Sequence, residues 1–156
     1  MLSQENFNRQ LTETQAHLSE WAESYQDIAE YEIEDEPSFW RIAVEPRLVS
    51  LCPIELVLRA DRQFDLILCD ATIEDQTIDD LNLFKDIFRS VADGAVILRR
   101  HVSPATDLHL GDTAIVRRAH KDSWSHTRLT AAGRRMGLTM AIDLDRTFAP
   151  YELEDA

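Results

Sequence analysis

Glycine is scarce in this chain of 156 residues: there are four, and none precedes Gly94. A loop that wraps a nucleotide phosphate needs glycine where the backbone turns tightly and approaches the ligand. The first half of the chain therefore has no means of building one. Cysteine is equally sparse. Cys52 and Cys69 are the two present, too few for a disulfide framework and not arranged as Cys-x-x-Cys. Reduced thiols in a reducing compartment follow, and a cytoplasmic location is expected. No apolar run approaches the roughly 18 residues that a membrane-spanning helix needs. The start, Met1-Leu2-Ser3-Gln4-Glu5, lacks the basic and apolar regions of a secretory leader. Basic residues are also in deficit, with 16 Lys and Arg against 29 Asp and Glu and a formal charge of −13. Such a chain is repelled by nucleic-acid phosphates and by anionic membrane surfaces, so neither is expected as a partner.

What is present reads as one domain over 1–156: an N-terminal helix (1–29), an acidic connector (30–38), an α/β core (39–144) and an acidic tail (145–156). Ser3 is placed to cap the helix. Behind it Phe7, Leu11, Thr14, Leu18, Trp21, Tyr25 and Ile28 recur at alternating intervals of four and three, a stripe with the period of a coiled-coil seam. It can dock on the domain's own sheet or pair two copies, so a homodimer through this helix is one expectation. Glu30-Tyr31-Glu32-Ile33-Glu34-Asp35-Glu36-Pro37 carries the charge of a solvated connector.

Strands are expected where apolar residues alternate, at Trp40–Glu45, Ile54–Leu58 and Phe64–Asp70. The last has apolar side chains on both faces, as in a strand covered by helices above and below. Thr77 is placed to cap a helix whose buried face is Leu81, Phe84, Ile87, Phe88 and Val91, with Gly94 as its left-handed stop. The apolar strand Ala95–Leu98 follows at once. Strand, helix and strand in that order predict a right-handed parallel crossover. Thr113–Val116 is expected antiparallel to its predecessor. Ser123 opens a further helix with Leu129, Ala132 and Met136 inward and Gly137 as its stop, and Leu138–Leu144 is a final strand. The fold class expected is α/β: a single mixed, partly parallel sheet with helices on its faces and a long N-terminal helix.

From residue 64 to 144 this pattern resembles the C-terminal half of a class I S-adenosylmethionine-dependent methyltransferase. Phe64–Asp70 resembles that family's fourth strand, Leu83–Leu98 its next helix, turn and fifth strand, and Ser123–Leu138 its later helix ending in glycine. Ile42-Ala43-Val44-Glu45-Pro46 resembles the second strand, whose terminal acid holds the cofactor ribose. The family's glycine loop would fall between Trp21 and Tyr31, where there is no glycine. The span from Glu45 to Phe64 is also short for the helix, strand and helix that the family places there. The resemblance thus implies a degenerate relative that holds no cofactor and works by binding rather than catalysis.

The candidate ligand-binding residues are Glu45, Asp70, Arg99, Arg100 and His101, expected together where strand ends leave a crevice. A carboxylate, an arginine fork and an imidazole there could hold a small anion. Residues 99–137 carry eight Lys and Arg against three Asp, a net of +5 in a chain of −13. A hairpin would split that basic stretch by sending Arg99-Arg100 and Arg117-Arg118 to opposite ends. His120, Asp122 and His126 match no strong zinc spacing, and no metal is expected. The partner is then an unidentified protein or a small anion. Two other readings stay open. The order of elements and the low pI are similar to small acidic secretion chaperones that dimerise around a partner, which a wholly antiparallel sheet would favour. An enzyme acting on an anionic metabolite at the Asp70–His101 edge is the other.

Overall fold

A computed structural model describes residues 3–152 and places them in two antiparallel sheets linked by a helix. Ser3 accepts a hydrogen bond from the Asn6 amide and starts α1 (Gln4–Ser24). A five-stranded meander follows: β1 (Ala29–Asp35), β2 (Phe39–Pro46), β3 (Ile54–Arg59), β4 (Gln63–Leu68) and β5 (Ala71–Thr77), paired in chain order. Helix α2 (Asn82–Ala92) leads into the second sheet, made of β6 (Val96–Val102), β7 (His109–Val116) and β8 (Trp124–Leu129). After the short α3 (Ala131–Met136), β9 (Ile142–Thr147) crosses back to pair with β6, giving the order β8-β7-β6-β9.

The expected single, partly parallel sheet is therefore corrected. Every strand pair is antiparallel, and residues 64–68 and 96–102 lie in different sheets, so the predicted crossover does not exist. The cause lies just after β4. Cys69 adopts φ 56°, which turns the chain straight back into β5 and uses the edge that a parallel neighbour would need. Nor is β4 apolar on both faces in the way expected. Phe64, Leu66 and Leu68 are buried, while Asp65 and Ile67 sit half-buried on the other face.

Other elements differ from expectation too: Thr77 ends β5 and does not cap α2, which starts after Leu81 with no side-chain cap, and the final strand is Ile142–Thr147 in place of Leu138–Leu144. The acidic stretch read as a connector is mostly β1, with Tyr31 and Ile33 opposite the buried Val44 and Ile42 and the glutamates on the far face. The segment after Ser123 is strand β8. The cap of α3 is Thr130, whose hydroxyl accepts from the Gly133 amide, although Gly137 ends that helix as expected, at φ 72°. Gly133 is required where it stands, because a Cβ there would lie 1.8 Å from the Leu110 carbonyl oxygen.

The apolar stripe of α1 is used within the chain. Phe7, Leu18 and Ala22 are buried together with the inward side chains of α2 and of the five-stranded sheet. Trp21 meets Phe88 edge-on at 5.1 Å, and Phe64 meets Phe84 likewise at 4.9 Å. The stretch after β9 returns to this core, where the Tyr151 ring packs on Trp21 and Tyr25 and its hydroxyl donates to the Cys52 carbonyl. The last four residues of the expected acidic tail lie outside the described residues. No helix among the described residues is long and apolar enough to cross a membrane.

Candidate functional site: a cationic cleft between the sheets

Facing residues of an antiparallel ladder share a side of the sheet, so the registers of β6–β9 set out the second sheet face by face. On its inner side one row runs Arg128, Asp112, Arg100, Leu144, and the next runs His126, Ala114, Leu98, Arg146. The start of β5, from Asp70 to Ile73, stands opposite, and Arg134 of α3 comes in at one end. All of these except Leu144 and Arg146, which continue the rows onto β9 beside it, line a cleft of about 440 Å³, within the range of small-molecule sites.

The charges in this cleft are unequally matched. Asp112 is shared, accepting from Arg100 Nε at 3.3 Å and lying 2.8 Å from His109 Nε2. Arg128 and Arg134 have no carboxylate partner among the described residues. Several guanidinium groups elsewhere are paired, Arg41 with Glu34 and Glu55, Arg59 with Asp75 and Arg118 with Asp86; what sets Arg128 and Arg134 apart is that they stand together on the wall of one cleft. Burial, and then the neighbouring Arg128 charge, hold His126 below the ordinary histidine range. The cleft therefore resists further positive charge and holds more cationic than anionic side chains.

The opposite face of the same sheet carries a closed polar network. His101 is 7% exposed, with Nδ1 at 2.7 Å from Asp143 and Nε2 at 2.8 Å from the Thr113 hydroxyl, which in turn lies 2.8 Å from that of Thr127. Arg99 forks onto both oxygens of Asp145 at 2.8 and 3.0 Å. This pairing holds the Asp145 carboxyl below the usual carboxylate range and raises the Arg99 guanidinium.

Of the five residues singled out from sequence, Asp70 and Arg100 line the cleft, and the other three do not. Arg99 and His101 alternate with Arg100 along β6 and project from the far side. Glu45 lies on the outer face of the five-stranded sheet, beside a shallow hollow shared with Arg41, Glu55 and Cys69. The expected common crevice needed parallel strands ending at one edge, and antiparallel strands do not provide it. Sequence reasoning missed Arg128, Arg134 and His109 as site residues, and His126 was considered only for metal. Their one signal was the excess of basic residues in 99–137.

The metal-like trio is divided, with His120 and Asp122 in a surface loop and His126 on β8 in the cleft. No group of three or more potential metal ligands occurs among the described residues. Cys52 is buried and its thiol is pushed up to about 12, chiefly by burial, which leaves it inert as a nucleophile. Cys69 is half-buried and accepts a contact from Arg146 Nη1 at 3.0 Å. No protein-family model, curated protein or solved structure matches the chain.

Proposed function

We propose that this domain works by binding, and that the cleft between its sheets holds a small anionic ligand. The observation that carries this reading is the pair Arg128 and Arg134, which stand unmatched on the cleft wall of a chain with a charge of −13. Arginine presents a planar fork that suits a carboxylate or phosphate group. A binding role is favoured over nucleophilic catalysis because no cysteine lines the cleft, and the most buried histidine is engaged on the other side of the sheet. His101 has both ring nitrogens occupied on the far face, and Cys52 is sealed in the core.

Titration with acetate and with inorganic phosphate, followed by NMR, tests the proposal. Shifts should concentrate at Arg100, Arg128, Arg134, His109 and His126, and the double substitution Arg128→Ala with Arg134→Ala should weaken binding at least tenfold. An incoming anion opposes the effects that depress His126, so binding should strengthen as pH falls through and below the ordinary histidine range. Asp70 and Asp112 face the same space and oppose the anion at every pH in that window. Shifts scattered over surface lysines and arginines would remove the proposal.

The wholly antiparallel architecture lends weight to a second reading, in which the domain holds a polypeptide in the manner of small acidic secretion chaperones. That reading requires a dimer. Sedimentation showing a monomer at tens of micromolar would dispose of it without touching the cleft.

A further inference from the structure

The cleft has an apolar margin that an inorganic anion would leave unused. Leu144 stands directly across the ladder from Arg100, on the same side of the sheet, and is 56% exposed. Ile142, two residues earlier on β9, is 48% exposed, and Met140 just before it is 81% exposed. The next residue of that β9 face is Arg146, which reaches across to Cys69, immediately before the Asp70–Ile73 wall. The apolar margin and the cationic floor are thus continuous, and Leu98 and Ile73 carry apolar surface into the cleft.

The charge balance limits the ligand further. Among the residues that line the cleft, Arg100, Arg128 and Arg134 contribute three positive charges and Asp70 and Asp112 two negative ones, an excess of one before the histidines are counted. A polyphosphate would meet two carboxylates with too little cationic charge to offset them. A single negative charge matches the cleft.

We propose that the ligand is a singly charged amphipathic anion: an organic acid whose head lies on Arg100, Arg128 and Arg134 and whose apolar body extends over Leu98 toward Leu144 and Ile142. This rests on the reading of the cleft as an anion site and adds to it the class of ligand. An acidic head satisfies the unmatched guanidinium groups, and an apolar body covers side chains now facing water.

The test uses the full chain with four probes: octanoate, acetate, inorganic phosphate and octanol, each titrated by calorimetry and NMR. Octanoate should bind at least tenfold more tightly than acetate, and octanol should bind no better than acetate. Leu144→Ser should reduce the advantage of octanoate over acetate while leaving acetate unchanged. Arg128→Ala with Arg134→Ala should weaken both acids together. If acetate or phosphate binds in the cleft and octanoate gains nothing over acetate, the amphipathic ligand is wrong and the anion site stands. If octanol matches octanoate, the head is not recognised and the proposal fails. If none of the acids or phosphate binds at millimolar concentration, the anion site and this inference fall together.

Discussion

The two sheets treat the middle rows of their inner faces in opposite ways. In the five-stranded sheet Ile42, Leu56 and Leu66 lie side by side across β2, β3 and β4, each at 0% exposure beneath α1 and α2. In the four-stranded sheet the corresponding row is Arg128, Asp112, Arg100 and Leu144, and every residue of β9 is exposed. The first sheet has two helices to cover it. The second meets α2 through β7 and gives Val96, Leu98, Ala114 and Val116 to the same core, but beyond them the row from Arg128 to Leu144 is left to water and charge. Sealed apolar packing runs through the middle of one sheet, and exposed charge through the middle of the other.

The largest test of this contrast is a matched pair of truncations. Leu66→Ala opens a void in a sealed core and should cost about 2–5 kcal/mol. Leu144→Ala, the same chemical change on the second sheet, should stay within about 0.5 kcal/mol. Urea unfolding midpoints measure both, and comparable losses would erase the distinction between the sheets. Tyr151→Phe comes next, because it removes the donor to the buried Cys52 carbonyl; a loss of about 1–2 kcal/mol is expected by the same assay.

Smaller effects sharpen the comparison. His120 holds φ 59° in an exposed loop of the second sheet. His120→Gly should raise stability by about 0.5 kcal/mol, as relief of the left-handed strain exceeds the entropy that glycine loses. Asp145→Asn tests the far-face pairing through pH. The Asp145 carboxyl is lowered from 3.8 by Arg99, so its contribution is present above that value and lost as pH falls through the folded-state value. The difference between wild type and Asp145→Asn should therefore be visible near neutrality and shrink in acid below about pH 4. A difference that persists there would assign the effect to packing.

The elements that could be read from the sequence were those whose period and stop signals agree. The α1 stripe behind Ser3, the buried face of α2 before Gly94, and the alternation of Ile54–Leu58 and Phe64–Leu68 all belong to the helices or to the five-stranded sheet they cover. What could not be read has two physical causes. Hairpin turns ordinarily announce themselves through glycine or asparagine at positive φ, whereas here Arg62 and Cys69 take that conformation. The turn into β5 was thus silent, and with it the antiparallel topology. In addition, β8 and β9 are strands that leave most of their surface in water, so Trp124–Leu129 carries little hydrophobic alternation and its pattern suits a helix as well as a strand. The cleft was half legible. Asp70 and Arg100 follow from strand ends in either topology, while Arg128 becomes a neighbour of Arg100 only through the antiparallel register and Arg134 only through the placing of α3.

The position of Tyr151 also has a consequence for the order in which the molecule is made. Its amide donates to the Ala92 carbonyl and its ring fills a slot beside Trp21 and Tyr25, so a core begun by the first helix is finished by a residue about 130 positions later. During synthesis from the N-terminus, α1, the five strands and α2 can emerge and meet while that slot stays open to water. Until residue 151 clears the ribosome, the nascent chain presents an aromatic gap beside Trp21 and Tyr25, and the core is closed only after every strand of both sheets has emerged.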